Sequence, residues 1–301
     1  MSYLKNQVLA SAPALFVICR YLAHHSSGAT VDRMNAALAP ASLSAEVGRA
    51  GRTAKVPPVL PDSLQIGVDI GLLDVEGFRD RRVYILRHTY VEQIHDMPPA
   101  DSRAFRTLLL RRFGARVLDA VEKDESPPDV PYAITWLLTW DPLQSTSDQW
   151  DQGPREKFEH AGMRHAVHNP EQWRPFLRWA RALGLITMTT VSRKTRLSVD
   201  PTCAVEGLLA EMPSSASARE WLERLYELAP LLGHPRLLRA LPDGISVPPG
   251  PSEAMSLALL KLERANRVRL MHADDFADAV VLRVGGRDRR IARIEVVEER
   301  S

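Results

Sequence analysis

Apolar and polar positions alternate between two spacings along the chain, and their order repeats. A helical stripe leads to a glycine or asparagine, then to an apolar run at strand spacing, a basic turn and a second strand. In the first stretch Ala14, Leu15, Ile18, Cys19 and Leu22 share one helix face, and Gly28 closes the segment. A short helix is expected over 31–38, with Thr30 as its cap and Pro40 as its stop. Residues 41–61 read as loop, after which Asp62 and Ser63 cap a third helix carrying Leu64, Ile66, Val68 and Ile70. Gly71 ends that helix, Leu72, Leu73 and Val75 begin a strand, and Val83 to Leu86 return after a basic turn.

The second stretch opens with a helical region, carrying Phe105, Leu108, Leu109, Phe113, Val117 and Leu118, and breaks at Pro127 and Pro128. Helices are expected over 132–140 and near 156–167, with polar turns over 144–154. Asn169 and Pro170 then start an amphipathic helix bearing Trp173, Phe176, Leu177, Ala180 and Leu183, which Gly184 terminates. A hairpin follows, with Ser192 to Thr195 at its tip. The third stretch begins after Pro213 and a serine-rich run, with a helix carrying Trp221, Leu222, Leu225, Leu228 and Ala229 that Pro230 ends, and a short second helix over 234–241. Ser252 caps a further helix, Asn266 turns the chain, and strands follow around Val268, Val280 and Ile294. Residues 285–290 read as the turn between the last two strands.

This order predicts a mainly α chain with short β-hairpins, arranged as tandem winged helix-turn-helix-like modules. The expected boundaries are 1–95, 100–212 and 213–301. The three helix-to-strand junctions each carry a residue that tolerates left-handed backbone: Gly71, Gly184 and Asn266.

Composition narrows the function. The 301 residues hold 39 Lys and Arg against 37 Asp and Glu, a net charge of +2, so contact with nucleic acid must come from local patches. No apolar run reaches the ~18 residues of a membrane span, and the N-terminus reads as a helix. Two cysteines, Cys19 and Cys203, are too few for a disulfide framework or a four-thiolate zinc site. These features predict a cytoplasmic protein with no cofactor, structural metal or membrane partner. The phosphate loop, nucleophile elbow and dinucleotide fingerprint are all missing from the sequence, and the expectation is that the protein is not an enzyme.

The charges at the hairpin tips are the leading candidates for contact with DNA. They are Arg79, Arg81 and Arg82 in the first, Arg193, Lys194 and Arg196 in the second, and Arg287, Arg289 and Arg290 in the third. Cations there neutralise phosphates and release counterions, giving affinity without base selection. Arg49, Arg52 and Lys55 form a basic arm among glycines and alanines. On the third helices, Gln65 suits a base edge but Asp69 repels phosphate, whereas Arg174, Arg178 and Arg181 make one stripe. The bland alternative for each is an ordinary solvated turn or face. His165 and His168 share a helix face without completing a metal-ligand pattern, and Asp274, Asp275 and Asp278 read as an acidic turn. A nuclease pair of that turn with Glu295 lacks a neighbouring lysine. Trp136, Trp140, Trp173 and Trp179 read as core or inter-module contacts.

Two segments carry a family resemblance. The stretch Trp173-Arg174-Pro175-Phe176-Leu177-Arg178-Trp179-Ala180-Arg181-Ala182-Leu183-Gly184-Leu185, followed by Val199-Asp200-Pro201-Thr202, resembles the DpdG family. So does Ser252 to Arg264. That family is encoded in bacterial gene clusters that insert 7-deazaguanine bases into DNA and restrict unmodified DNA. The resemblance covers most of the chain through packing motifs and offers no catalytic residue to carry over. It implies an accessory protein working beside helicases and nucleases of an anti-phage or DNA-modification system. The expected partners are DNA, through its backbone, and other proteins of that system. The rivals are a protein-only adaptor, a winged-helix transcriptional regulator and a cryptic nuclease.

Overall fold

The computed structural model describes residues 2–38, 59–78, 81–98, 102–243, 245, 249–272 and 279–297. The chain divides into two compact units, one of Lys5–Phe105 and one of Arg106–Ser301 together with Met1–Leu4. A short helix α1 (Tyr3–Asn6) opens the chain.

In the Lys5–Phe105 unit, α2 (Ala12–Ala23) starts at Ser11, whose hydroxyl accepts the Ala14 amide at 3.3 Å. Leu15, Ile18, Cys19 and Leu22 are buried, as their spacing predicts. Helix α3 (Val31–Leu38) is preceded by Thr30, whose hydroxyl accepts the Arg33 amide. The third helix, α4 (Val59–Asp69), begins earlier than the sequence suggested, so Pro61 lies in its first turn. Asp62 then serves another purpose: it accepts the Leu9 amide at 3.0 Å. A Cβ on Gly67 would stand 2.8 Å from Leu73 and 3.0 Å from Leu15, which is how closely α4 approaches both neighbours. Gly71, at φ +69°, ends the helical segment. Strands β1 (Leu73–Glu76) and β2 (Val83–Leu86) pair antiparallel, and Ala29 bridges Tyr84 on the far side of β2. Helix α5 (His88–Asp96) packs on α2.

The Arg106–Ser301 unit contains most of α6 (Ser102–Glu122), then α7 (Asp129–Leu137). The buried carboxylate of Asp129 accepts the Ser2 hydroxyl at 2.7 Å and the amides of Tyr3, Leu4 and Val130 at 2.9, 3.0 and 2.8 Å. Strand β3 (Thr146–Ser147), helices α8 (Pro154–His160) and α9 (Pro170–Ala182), and the hairpin β4 (Ile186–Val191) with β5 (Lys194–Val199) follow. Their strand order is β3-β5-β4.

After α10 (Thr202–Glu206), strand β6 (Ser215–Ser217) leads directly into α11 (Ala218–Leu228) through a reciprocal cap between Ser217 and Glu220. Then come α12 (Pro235–Arg239), α13 (Glu253–Arg264), β7 (Val268–His272), β8 (Val280–Val284) and β9 (Arg287–Val296). Strand β9 lies between β6 and β7 and also pairs with β8.

One connectivity therefore occurs three times: a helix, a one- to three-residue first strand, further helices, and antiparallel strands of which the last pairs with that first strand. The partners are Ala29 with Tyr84, Thr146 with Leu197, and Ser215 with Glu295. Pairing of this kind covers one backbone edge of the last strand. Segments this short carry no readable alternation, so the sequence showed only turns at 144–154 and a serine-rich stretch at 214–217.

The core of the larger unit is aromatic. Phe158 lies 4.5 Å from Trp136, 5.8 Å from Trp173 and 6.1 Å from Phe176, ring centre to ring centre. Trp173 donates its indole N–H to the Asp148 carbonyl at 2.7 Å, and Trp179 meets Phe113 edge-on. These contacts fix which face of α9 turns inward.

Candidate nucleic-acid interface

Helix α9 is held at both ends. Asn169 accepts the Gln172 amide at 2.9 Å at its start, and Arg106 Nε donates to the Ala182 carbonyl at 3.1 Å at its end. Gly184, at φ +72°, has the Arg106 side chain 3.1 Å from where a Cβ would sit. With Gln172, Trp173, Pro175, Phe176, Leu177, Trp179 and Ala180 buried, the solvent face is left to Glu171, Arg174, Arg178 and Arg181. Arg174, Arg178 and Arg181 thus share a stripe with one carboxylate at its N-terminal end. Burial of part of Arg178 draws its guanidinium below its ordinary pKa, although an arginine stays cationic at neutral pH.

The hairpin that follows closes in two residues rather than four. Val191 pairs with Lys194, and Ser192 and Arg193 take φ +50° and +63°. Both turn residues being left-handed is the geometry that suits Asn-Gly best, so the chain accepts strain of about 1 kcal/mol or more to keep side chains there. Arg193, Lys194 and Arg196 are exposed, as is Val191 at 64%. Central helix and hairpin together present six exposed cations.

The third hairpin departs from the sequence reading. Its turn is only Gly285 and Gly286; Arg287, Arg289 and Arg290 lie in β9, paired with β8. A glycine pair closes so tight a turn at no steric cost, and this lets all of Arg287 to Arg290 join the pairing, opposite Val284 to Val281. Leu143 lies 2.7 Å from where a Cβ on Gly285 would be. Arg289 forks onto Glu263 through two nitrogens and donates to the Leu270 carbonyl at 3.0 Å, which holds Glu263 below the usual carboxylate range. It is a structural cation. Arg287 and Arg290 remain exposed. Nor is α13 an open helix: its Lys261 bonds Asp200 at 2.7 Å, and it packs on α10.

In the Lys5–Phe105 unit, Gln65 is exposed on α4, and Arg81 and Arg82 are exposed beyond the first turn. Arg49, Arg52, Lys55 and Arg79 lie outside the described residues, as do Asp274, Asp275 and Asp278. One exposed group was overlooked in the sequence. Phe78 is 90% exposed at the tip between β1 and β2. The signal was an aromatic directly after a turn glycine, and it was absorbed into a stretch read only for its charge. His165 bonds the Gly162 carbonyl and packs on Tyr132. No three His, Cys, Asp or Glu side chains among the described residues converge as metal ligands. None of the described helices is long and apolar enough to cross a membrane.

No curated protein and no solved structure matches the chain. The family profile described as DpdG-like does match, over residues 1–276, a span that takes in the first two recurring units, α9 and α13 and stops before β8 and β9; the chain belongs to the DpdG-like family.

Proposed function

We propose that the protein is a non-enzymatic DNA-binding and assembly component of the 7-deazaguanine DNA-modification system with which its family is associated. In this reading the three recurring units are winged-helix-like modules. Support comes from the shared strand order, in which a short first strand pairs with the last of the antiparallel strands. The central module makes the main contact with DNA. Its carrying observation is the outward arginine stripe of α9 together with the cationic tip of the β4–β5 hairpin. Such cations bind the phosphate backbone with little base selection. Gln172, the amide side chain on α9, is buried and bonded to the His168 amide, which leaves arginines as the exposed donors of that helix.

The deciding experiment is DNA binding by the full chain across a salt series, compared with Arg193→Glu/Lys194→Glu. Weaker binding with a shallower salt dependence supports the reading; unchanged binding rejects it.

A protein-only adaptor is the second reading, favoured by α13. Its cation Lys261 is taken up by Asp200 of the same chain and so is not left for phosphate. A stable complex with neighbouring gene products and no DNA affinity would select this alternative.

A further inference from the structure

We propose that Phe78 is a nucleobase-stacking residue, delivered to DNA by the first hairpin. The inference rests on the DNA-binding reading above and extends it from the phosphate backbone to the bases.

The turn around Phe78 is built without using its ring. Gly77 supplies the left-handed backbone at φ +79°, and a Cβ there would meet the Arg81 carbonyl oxygen at 2.5 Å. The Arg81 amide closes the turn on the Phe78 carbonyl at 3.1 Å. The residues that favour tight turns do so through free backbone, fixed φ or short polar side chains, and phenylalanine has none of these. Its side chain packs against no ring or cation among the described residues and is the most exposed of the large hydrophobic groups. Folding of the hairpin therefore does not account for it.

Chemistry nearby indicates the partner. Arg81 and Arg82 are exposed three and four residues on. A bare ring with two exposed arginines three and four residues further along the chain matches a polymer whose apolar faces alternate with phosphates: the arginines hold the backbone while the ring lies on a base. Val191 repeats the pairing on the central hairpin, exposed beside Arg193 and Lys194. The ring can reach a base in two ways, as a wedge in a duplex step or as a platform for an unpaired base. Both use the same π face.

The test uses the full chain with 2-aminopurine-labelled oligonucleotides, one fully duplex and one single-stranded. Unstacking from neighbours brightens the probe in the duplex, and stacking on the ring quenches it in the single strand. Phe78→Ala is expected to abolish the fluorescence change and weaken binding roughly 5- to 100-fold on whichever form is the target. Phe78→Tyr is expected to retain both, and the slope of affinity against salt is expected to stay constant in both variants. Thermal melting of the variants checks that the hairpin unit is intact, which the exposure of the side chain predicts. Phe78→Ala behaving as wild type on both DNAs, or Phe78→Leu retaining full affinity and signal, overturns the stacking role while leaving DNA binding in place. Phe78-dependent capture of a partner protein with no effect on DNA also overturns it. Absence of any DNA binding by the wild-type chain overturns both readings.

Discussion

Lys261 Nζ sits 2.7 Å from Asp200 Oδ2, joining the helix α13 to the residue that follows strand β5 within the larger unit. Asp200 is only 12% exposed, and it also accepts from the Thr202 hydroxyl and amide. The same unit holds the α10–α13 contact, a second ion pair between Arg267 and Glu206 at 3.5 Å, and a third between Arg111 and Glu211. In consequence α9 and α13, which hold equivalent places in the recurring order, have different surroundings: one faces solvent with arginines, the other is part of a packed joint.

Lys261→Ala is expected to destabilise this unit by about 1–2 kcal/mol near neutral pH, since it leaves a mostly buried carboxylate with only Thr202. Burial pushes the Asp200 carboxyl up, but the bonds from Lys261 and Thr202 outweigh it and hold the group below its ordinary value. A depressed carboxyl stabilises the fold above the unfolded-state value, near 3.9, and that contribution is lost as pH falls through the folded value. The gap between wild type and variant should therefore narrow on acidification below about pH 4. All six tryptophans lie in the larger unit, so urea unfolding followed by their fluorescence reads it selectively.

Asp129 has the opposite sign. Burial raises its carboxyl pKa despite the bonds from Ser2, Leu4, Tyr3 and Val130. The folded state then holds the proton more tightly than the unfolded chain, and acidification relieves a cost that is present at neutral pH. Asp129→Ala should cost about 2–4 kcal/mol, because the Tyr3 and Leu4 amides lose their acceptor in a buried place. The same variant should expose the first four residues to aminopeptidase digestion. Asp129→Asn, which keeps one acceptor oxygen, is expected to fall between it and wild type.

Cations in the central and last hairpins should behave differently. Arg193→Glu/Lys194→Glu is expected to lower DNA affinity about tenfold or more at moderate salt and to reduce the salt slope by about 1 for each lost phosphate contact. Arg289→Ala is expected to leave DNA affinity unchanged and to cost about 1 kcal/mol of stability, since its partner Glu263 is partly solvated. Parallel binding titrations and urea melts separate the two outcomes.

Gly114→Ala tests the packing of α6. A Cβ there would lie 2.6 Å from Pro230 Cδ and 3.1 Å from its nitrogen, and the proline ring cannot swing away as a flexible chain would. A loss of about 1–3 kcal/mol is expected in the fluorescence-detected melt, with the basic face of α9 unaffected.

Helices and hairpins were legible because their signals are local. The Leu15, Ile18 and Leu22 stripe, the Asn169-Pro170 start and the left-handed residues Gly71, Gly184 and Asn266 all encode element type within a few neighbours. Charge at the central hairpin tip could be read the same way. What sequence could not assign was which charges stay available. Arg193 and Arg289 look alike in the chain, but one stands on a strained two-residue turn and the other is folded onto Glu263, 26 residues away. Likewise the short strands at Ala29, Thr146 and Ser215 exist only because a distant strand offers them an edge to pair with. Periodicity records what a segment prefers by itself, whereas burial of an ion pair and closure of a sheet depend on partners that only the folded chain brings within bonding distance.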